Sequence, residues 1–227
     1  TVGPNFSSLN GLEVECFTVG AANVSGFLGF GSPDFSDPVN KPLSAQDLFG
    51  FGLQDLDFGM AILRSTLPPL PYMPPAPVYL ALKATVGEIG TYGFGDWLDI
   101  SGSGITLEVN TGTPWPGGFG PPVIDFISSF PAEGAGVDTD MDGRIGEPAG
   151  FEVPTGSDPV YLDFAGYDLI SLEIQHARVS ILDFVHLSGS FAFEKGPREM
   201  FTVNTGLPVN TGLNTMNMEM ETMTIGA

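Results

Sequence analysis

The sequence predicts an all-β protein: an elongated, multi-strand repeat unit stacked like a solenoid, with β-sandwich modules as the alternative. Three observations point there. Apolar and polar residues alternate in short runs broken by Gly every 8 to 12 residues, the pattern of successive strands and turns. The 31 glycines and 20 prolines, over a fifth of 227 residues, punctuate the whole length and leave little room for helices beyond a few turns. The two ends of the chain also read alike. GLEVECFTVGA from Gly11 to Ala21 and NMEMETMTIGA from Asn217 to Ala227 share both Glu, the Thr, the Gly and the Ala at a constant offset of 206 residues.

Each piece of the chain supports this in turn. In the first copy Leu12, Val14 and Val19 are apolar while Glu13 and Glu15 are charged; Met218, Met220, Ile225, Glu219 and Glu221 repeat the arrangement, which is that of a strand with one wet face. A last strand that restarts the first predicts one period plus about 21 residues of overlap, taken from a longer tandem array. Phe27–Gly31 and Phe49–Gly52 mix Gly with Phe and read as core, where small residues let rings pack on backbone. Ser44 to Asp47 has the spacing of a capping box and predicts one short helical turn. Asp55 to Leu63 returns to alternation. Residues 67–77, LPPLPYMPPAP, hold six prolines and predict an extended connector between a β segment at 1–66 and a second at 78–227.

The second segment contains an internal echo. Pro77-Val78-Tyr79-Leu80 returns as Pro159-Val160-Tyr161-Leu162, and Leu98 to Ser103 returns as Val185 to Ser190, so each half reads as a β unit. Between them, residues 111–122 set Trp115 and Phe119 among prolines and glycines. Trp115, Phe119 and Tyr92 are the candidate contacts for a glycan or another surface, although a Trp folded back as a lid on the core is the more economical arrangement.

Composition narrows the partners. With 27 acidic against 7 basic residues the net charge is −20, which argues against nucleic acid and anionic membrane and in favour of cations. No run of 18 apolar residues exists, so no membrane span is expected. The single cysteine, Cys16, forms no internal disulfide and reads as a buried thiol. The chain opens at Thr1 with no Met and no basic-then-apolar leader, and reads as a mature product or an excerpt.

One stretch carries chemistry. Asp138, Asp140 and Asp142 alternate and Gly143 follows, within Gly134 to Glu152, so a tight loop turns three carboxylates toward one hard cation while Gly takes the bend. In such a loop the backbone carbonyl of Arg144 is the next ligand. Position 12 is Ala149, which has no carboxylate, so Glu147 or Glu152 must substitute, or the ion must take water or a ligand from a distant loop. The cofactor expected is Ca2+, bound at Asp138, Asp140, Asp142, Arg144 and Glu147; a solvated acidic turn is the alternative. No catalytic residue is expected. His176 and His186 are the only histidines and sit in strand-like runs without a nucleophile or metal motif, and a glycosidase pair from Asp55 and Asp57, or from Asp96 and Asp99, has no support in spacing alone.

With these residues in view, the Asp-x-Asp-x-Asp-Gly segment resembles the loops of thrombospondin type-3 and dockerin-like calcium modules. The 206-residue recurrence, the acidic balance and the VYLDFAGYDLISLEI…LSGSFAFEKG run resemble repeat units of very large bacterial cell-surface or secreted proteins. The resemblance implies an extracellular tandem-repeat protein, not an enzyme, whose calcium-stiffened units serve as stalk, matrix or filament. The copied ends predict head-to-tail association with other copies of the chain. A calcium-dependent carbohydrate- or surface-binding module is the second reading.

Overall fold

A computed structural model describes residues 13–35, 48–66, 77–113, 121–138, 145–182, 184–211 and 213–227. It is all-β, as the alternation predicts. Seven strands form one antiparallel sheet in the order β1 (Val14–Phe30), β2 (Phe49–Ser65), β3 (Val78–Tyr92), β4 (Asp99–Gly112), β7 (Leu169–Ile181), β8 (Val185–Asn204) and β9 (Thr215–Gly226). A second sheet is the hairpin of β5 (Phe151–Val153) and β6 (Val160–Leu162). The sheet does not close into a barrel. β1 lies at one edge and β9 at the other. On either side of residues 67–76, β2 and β3 are hydrogen-bonded neighbours from Gly50↔Tyr92 to Arg64↔Val78.

The strands are not short. β1 and β2 each run 17 residues and β8 runs 20, straight through glycines that read as turns in the sequence. The physical reason is close approach. Gly20 and Gly59 face each other across β1 and β2, and a Cβ on Gly20 would collide with the carbonyl of Pro154 and lie 3.0 Å from Cγ1 of Val153. A Cβ on Gly59 would lie 2.9 Å from the Cβ of Val160. These glycines are seats for the β5–β6 hairpin rather than breaks in the strands.

The long connection from β4 to β7 leaves and returns at the same end of the sheet and supplies its cover. It contains one helical turn, α1 (Phe126–Ser129), capped by Asp125, whose carboxylate accepts from the Ser128 N–H at 2.8 Å and the Ser128 hydroxyl at 2.7 Å. Phe126, Val153, Leu162, Phe164 and Ile124 of the cover pack on Ala61, Leu63, Tyr79, Ala81 and Leu169 of the sheet. Phe126, Val153 and Leu162 are fully buried, each stabilising the fold by about 1.5–3 kcal/mol. Asn110 of β4 ties the cover down at its two ends: its buried amide faces the carbonyls of Ile124 at 3.1 Å and of Ala165 and Tyr167, both at 3.2 Å. Lys83 adds an ion pair to Asp163 at 2.7 Å, and Lys195 of β8 one to Asp168 at 2.6 Å. The Asp168 bond raises the Lys195 pKa against the opposing effect of burial, and Glu221 of β9, 3.0 Å away, adds to it.

Among the described residues, much of the rest of the sheet is exposed. Pairing with β7 ends at Lys195, and beyond it β8 and β9 continue as a two-stranded ribbon from Arg198↔Glu221 to Asn204↔Thr215. Met216, Met218, Met220, Met223 and Ile225 of β9 are all exposed. At the opposite end of the molecule the Gly/Phe segments read as core are largely solvent-facing: Leu28 and Phe30 are exposed, as are Phe49 and Phe51, because the cover does not reach the far ends of β1 and β2. Cys16, read as buried, is exposed on the edge strand. The expected helical turn at Ser44 to Asp47 lies outside the described residues.

Candidate functional site

The acidic loop grows out of the cover just after α1. Its base is cinched by backbone hydrogen bonds. The Glu133 N–H donates to the Glu147 carbonyl at 2.9 Å and the Gly146 N–H to the Val137 carbonyl at 3.0 Å. A turn at Gly134–Val137 (2.9 Å), with Gly136 at φ 79°, leads the chain into the neck, and Gly146 at φ 70° leads it out. Asp138 sits half-buried on one side of the neck and Glu147, also half-buried, on the other. Asp140, Asp142 and Arg144 lie outside the described residues.

Glu147 and Glu152, the two alternatives for completing a ligand shell, converge on one group. The Tyr161 hydroxyl donates to Glu147 Oε1 at 2.8 Å and stands 3.5 Å from Glu152 Oε2. A phenol has one proton, so the short contact is the bond and the longer one sits at the limit. Tyr161 is fixed by β6, next to the fully buried Leu162, so the Glu147 carboxylate is held from the rigid part of the cover. Among the described residues the loop offers the carboxylates of Asp138 and Glu147, with glycines at its neck. Sequence reasoning missed Tyr161. It belongs to the Pro-Val-Tyr-Leu echo, but the echo carries no hint of its role, since its twin Tyr79 is buried in the core.

The second candidate region is aromatic. Tyr92 packs edge-on against Phe27 with centroids 6.2 Å apart, and Gln54 Nε2 donates to its hydroxyl at 3.4 Å. Burial raises the Tyr92 pKa, with the nearby Glu88 carboxylate adding to the rise. Phe94, buried in the β3–β4 connection, gathers Phe49 at 4.3 Å, Phe51 at 5.6 Å and Trp97 at 5.1 Å, all three of them partly exposed. Trp115 and Phe119 lie outside the described residues.

One pair has the look of catalytic machinery. Ser180 Oγ and His186 Nδ1 are 2.8 Å apart, and the strand register sets Asp99 beside Ser180. The order is wrong for activating a nucleophile. A relay needs the imidazole between hydroxyl and carboxylate, whereas here the serine stands in the middle, and Asp99 meets Arg178 at 3.4 Å. The pair is a cross-strand hydrogen bond of β7 and β8.

Among the described residues no helix is long and apolar enough to cross a membrane. No protein-family model, curated protein or solved structure matches the chain.

Proposed function

We propose that the chain is a structural or adhesive module of an extracellular array, one that joins other copies head-to-tail and is stabilised by calcium. The observation that carries the reading is the position of the similar ends: the two segments that read alike form the two opposite edges of one open sheet. An open edge presents unpaired N–H and C=O groups and is a template for another chain. Natural sheets blunt such edges, yet β9 keeps a row of exposed methionines and β1 an exposed Phe17. Two different edges meeting head-to-tail make a heterologous contact that propagates rather than closing into a dimer. The solenoid-like stack belongs to the same reading, as a sheet extended unit by unit. Calcium enters through the Asp138–Glu147 loop, stiffening the cover rather than reacting with anything. An extracellular location follows from calcium at millimolar availability and an acidic surface.

A second reading, a carbohydrate- or surface-binding module, draws on the partly exposed rings of Phe49, Phe51 and Trp97 beside Tyr92. A glycan array read with and without calcium tests it. For the main reading the test is sedimentation of the whole chain against a variant lacking residues 214–227. Concentration-dependent multimers that vanish on deletion, with the melting transition retained, are the expected result; assembly unchanged by the deletion would sink it.

A further inference from the structure

The registers show how closely β9 imitates β1. In β1, Val14, Cys16, Thr18 and Gly20 stand opposite Ser65, Leu63, Ala61 and Gly59 of β2, on the face that the β5–β6 hairpin covers. A row of directly paired residues then crosses the sheet from Gly20 through Gly59, Lys83, Glu108, Ser171 and Glu194 to Thr224. Thr224 therefore lies on the covered face, and so does Gly226, two residues on. The copy of Gly20 is Gly226, so the repeat returns to the same face with a stagger of two residues, roughly 7 Å along the strand. An odd stagger would have turned every side chain over. Because every neighbour in the sheet is antiparallel and there are seven strands, β9 also runs in the same direction as β1.

Among the described residues nothing requires glycine at 226. A Cβ there meets nothing within 4 Å, whereas at Gly20 it would run into the Pro154 carbonyl. Glycine weakens a strand and usually marks a place where another backbone comes close. At Gly20 that backbone is the chain's own Pro154, just after β5; at Gly226 none of the described residues supplies it.

We infer that β9 acts as the β1 of a second copy of this chain: it receives that copy's β2 along its free edge, with Gly226 opposite Gly59 and the second copy's Val153–Pro154 seated over Gly226. The inference rests on the self-assembly reading and fixes its register. Charge supports the same alignment. Glu15 stands opposite Arg64 in β1–β2, and Glu221, its copy, comes opposite Arg64 of the second copy while keeping Lys195 at 3.0 Å on its own side. On a chain with 27 acidic and 7 basic residues, a register that meets a repeated Glu with an Arg is selected against the many that oppose like charges. Hydrogen bonding balances too. Segment Val14–Ala21 of the second copy gives up one ladder and β9 takes the same ladder, while Met223 and Ile225, 65% and 68% exposed, gain Ile62 and Met60 as neighbours. The released segment parts from the rest of β1 at the register break between Ala21 and Val24, where Asn23 holds φ 55° and its N–H bonds Asp57 Oδ1 at 2.7 Å. Simple edge-to-edge docking of β9 on β1 in the head-to-tail sense would instead be parallel, a slightly weaker ladder, and would leave Gly226 uncovered.

The test uses the full chain and Gly226→Val. The space around Gly226 is open, so the variant should melt with the wild type; under the inference it stays monomeric at concentrations where the wild type forms multimers. A second probe, Met223→Cys with Ile62→Cys in a Cys16→Ser background, should give disulfide-linked multimers, because those residues lie on β9 and β2 of one chain but face each other across the junction. If the wild type assembles and Gly226→Val assembles equally, or the cysteines fail to link copies, the register is overturned while self-assembly stands. A wild type that remains monomeric at every concentration removes both.

Discussion

β1 and β9 read alike and each lie at a sheet edge, yet among the described residues one is roofed and the other is bare. Over β1 and β2 the cover brings Val153, Pro154 and Val160 down onto Gly20 and Gly59, and Phe126 and Leu162 are sealed beneath it. Over β9 the same pattern of alternating residues leaves methionines and Ile225 in solvent. The sequence of a strand specifies that it will be a strand and which face will be apolar. Whether that face is buried depends on which other segment the topology delivers to it, and here the described residues of the 113–168 connection cover β1 and β2 but not β9.

The largest test of this contrast is Phe126→Ala against Met223→Ala. Truncating a fully buried Phe leaves a cavity and costs about 3–5 kcal/mol, while an exposed Met on the ribbon should cost within about 0.5 kcal/mol in the monomer. Denaturant midpoints measured at low protein concentration check it. Equal losses would mean that the ribbon is roofed in solution, breaking the comparison.

A smaller effect isolates the seat itself. Gly20→Val drives a side chain into the Pro154 carbonyl, which is backbone and yields poorly, so the variant should lose about 1–3 kcal/mol by overpacking. Thermal unfolding that leaves Gly20→Val indistinguishable from the wild type would show that the hairpin does not rest on β1.

The seats also explain what could be read from the sequence. Alternation in Glu13–Val19 or Asp55–Leu63 is a local property, and the all-β class was legible from it. Strand length was not, because a glycine in a run of alternating residues looks the same whether the chain turns there or another backbone presses on it; Gly20, Gly59 and the facing pair Gly29 and Gly50 are of the second kind. The Pro-Val-Tyr-Leu echo makes the point at larger scale. At Pro77 it opens β3 in the main sheet; at Pro159 it makes the three-residue β6 of the cover, since partners distant in sequence decide the pairing. The Leu98 and Val185 stretches, by contrast, both open the second strand of a hairpin, β4 and β8, as their likeness suggests. The acidic loop was singled out because Asp138, Asp140, Asp142 and Gly143 lie within one short stretch, but Asp140 and Asp142 fall outside the described residues. Tyr161 was not, because its hydrogen bond to Glu147 spans two elements of the cover.

Calcium sharpens the comparison from the covered side, with the smallest expected shift. In the proposed site the three carboxylates of the loop repel one another, and a cation that binds only the folded chain would offset that cost and stabilise it by mass action. For an extracellular-type site with a dissociation constant of ~0.1–1 mM, calcium at about tenfold excess stabilises by about 1.4 kcal/mol, a few degrees in melting temperature at this chain length. Asp140→Ala should abolish the shift. Tyr161→Phe should keep it but move its midpoint to higher calcium, since a hydrogen bond of about 0.5–1.5 kcal/mol no longer holds the Glu147 carboxylate in place. The bare ribbon of β8 and β9 should be indifferent: hydrogen exchange at Arg198–Asn204 should match with and without the ion, while residues 145–153 become protected. A wild type whose melting ignores calcium, or an Asp140→Ala variant that retains the full shift, would leave the three aspartates as a solvated turn and return the stability of the cover to Phe126, Leu162 and Asn110 alone.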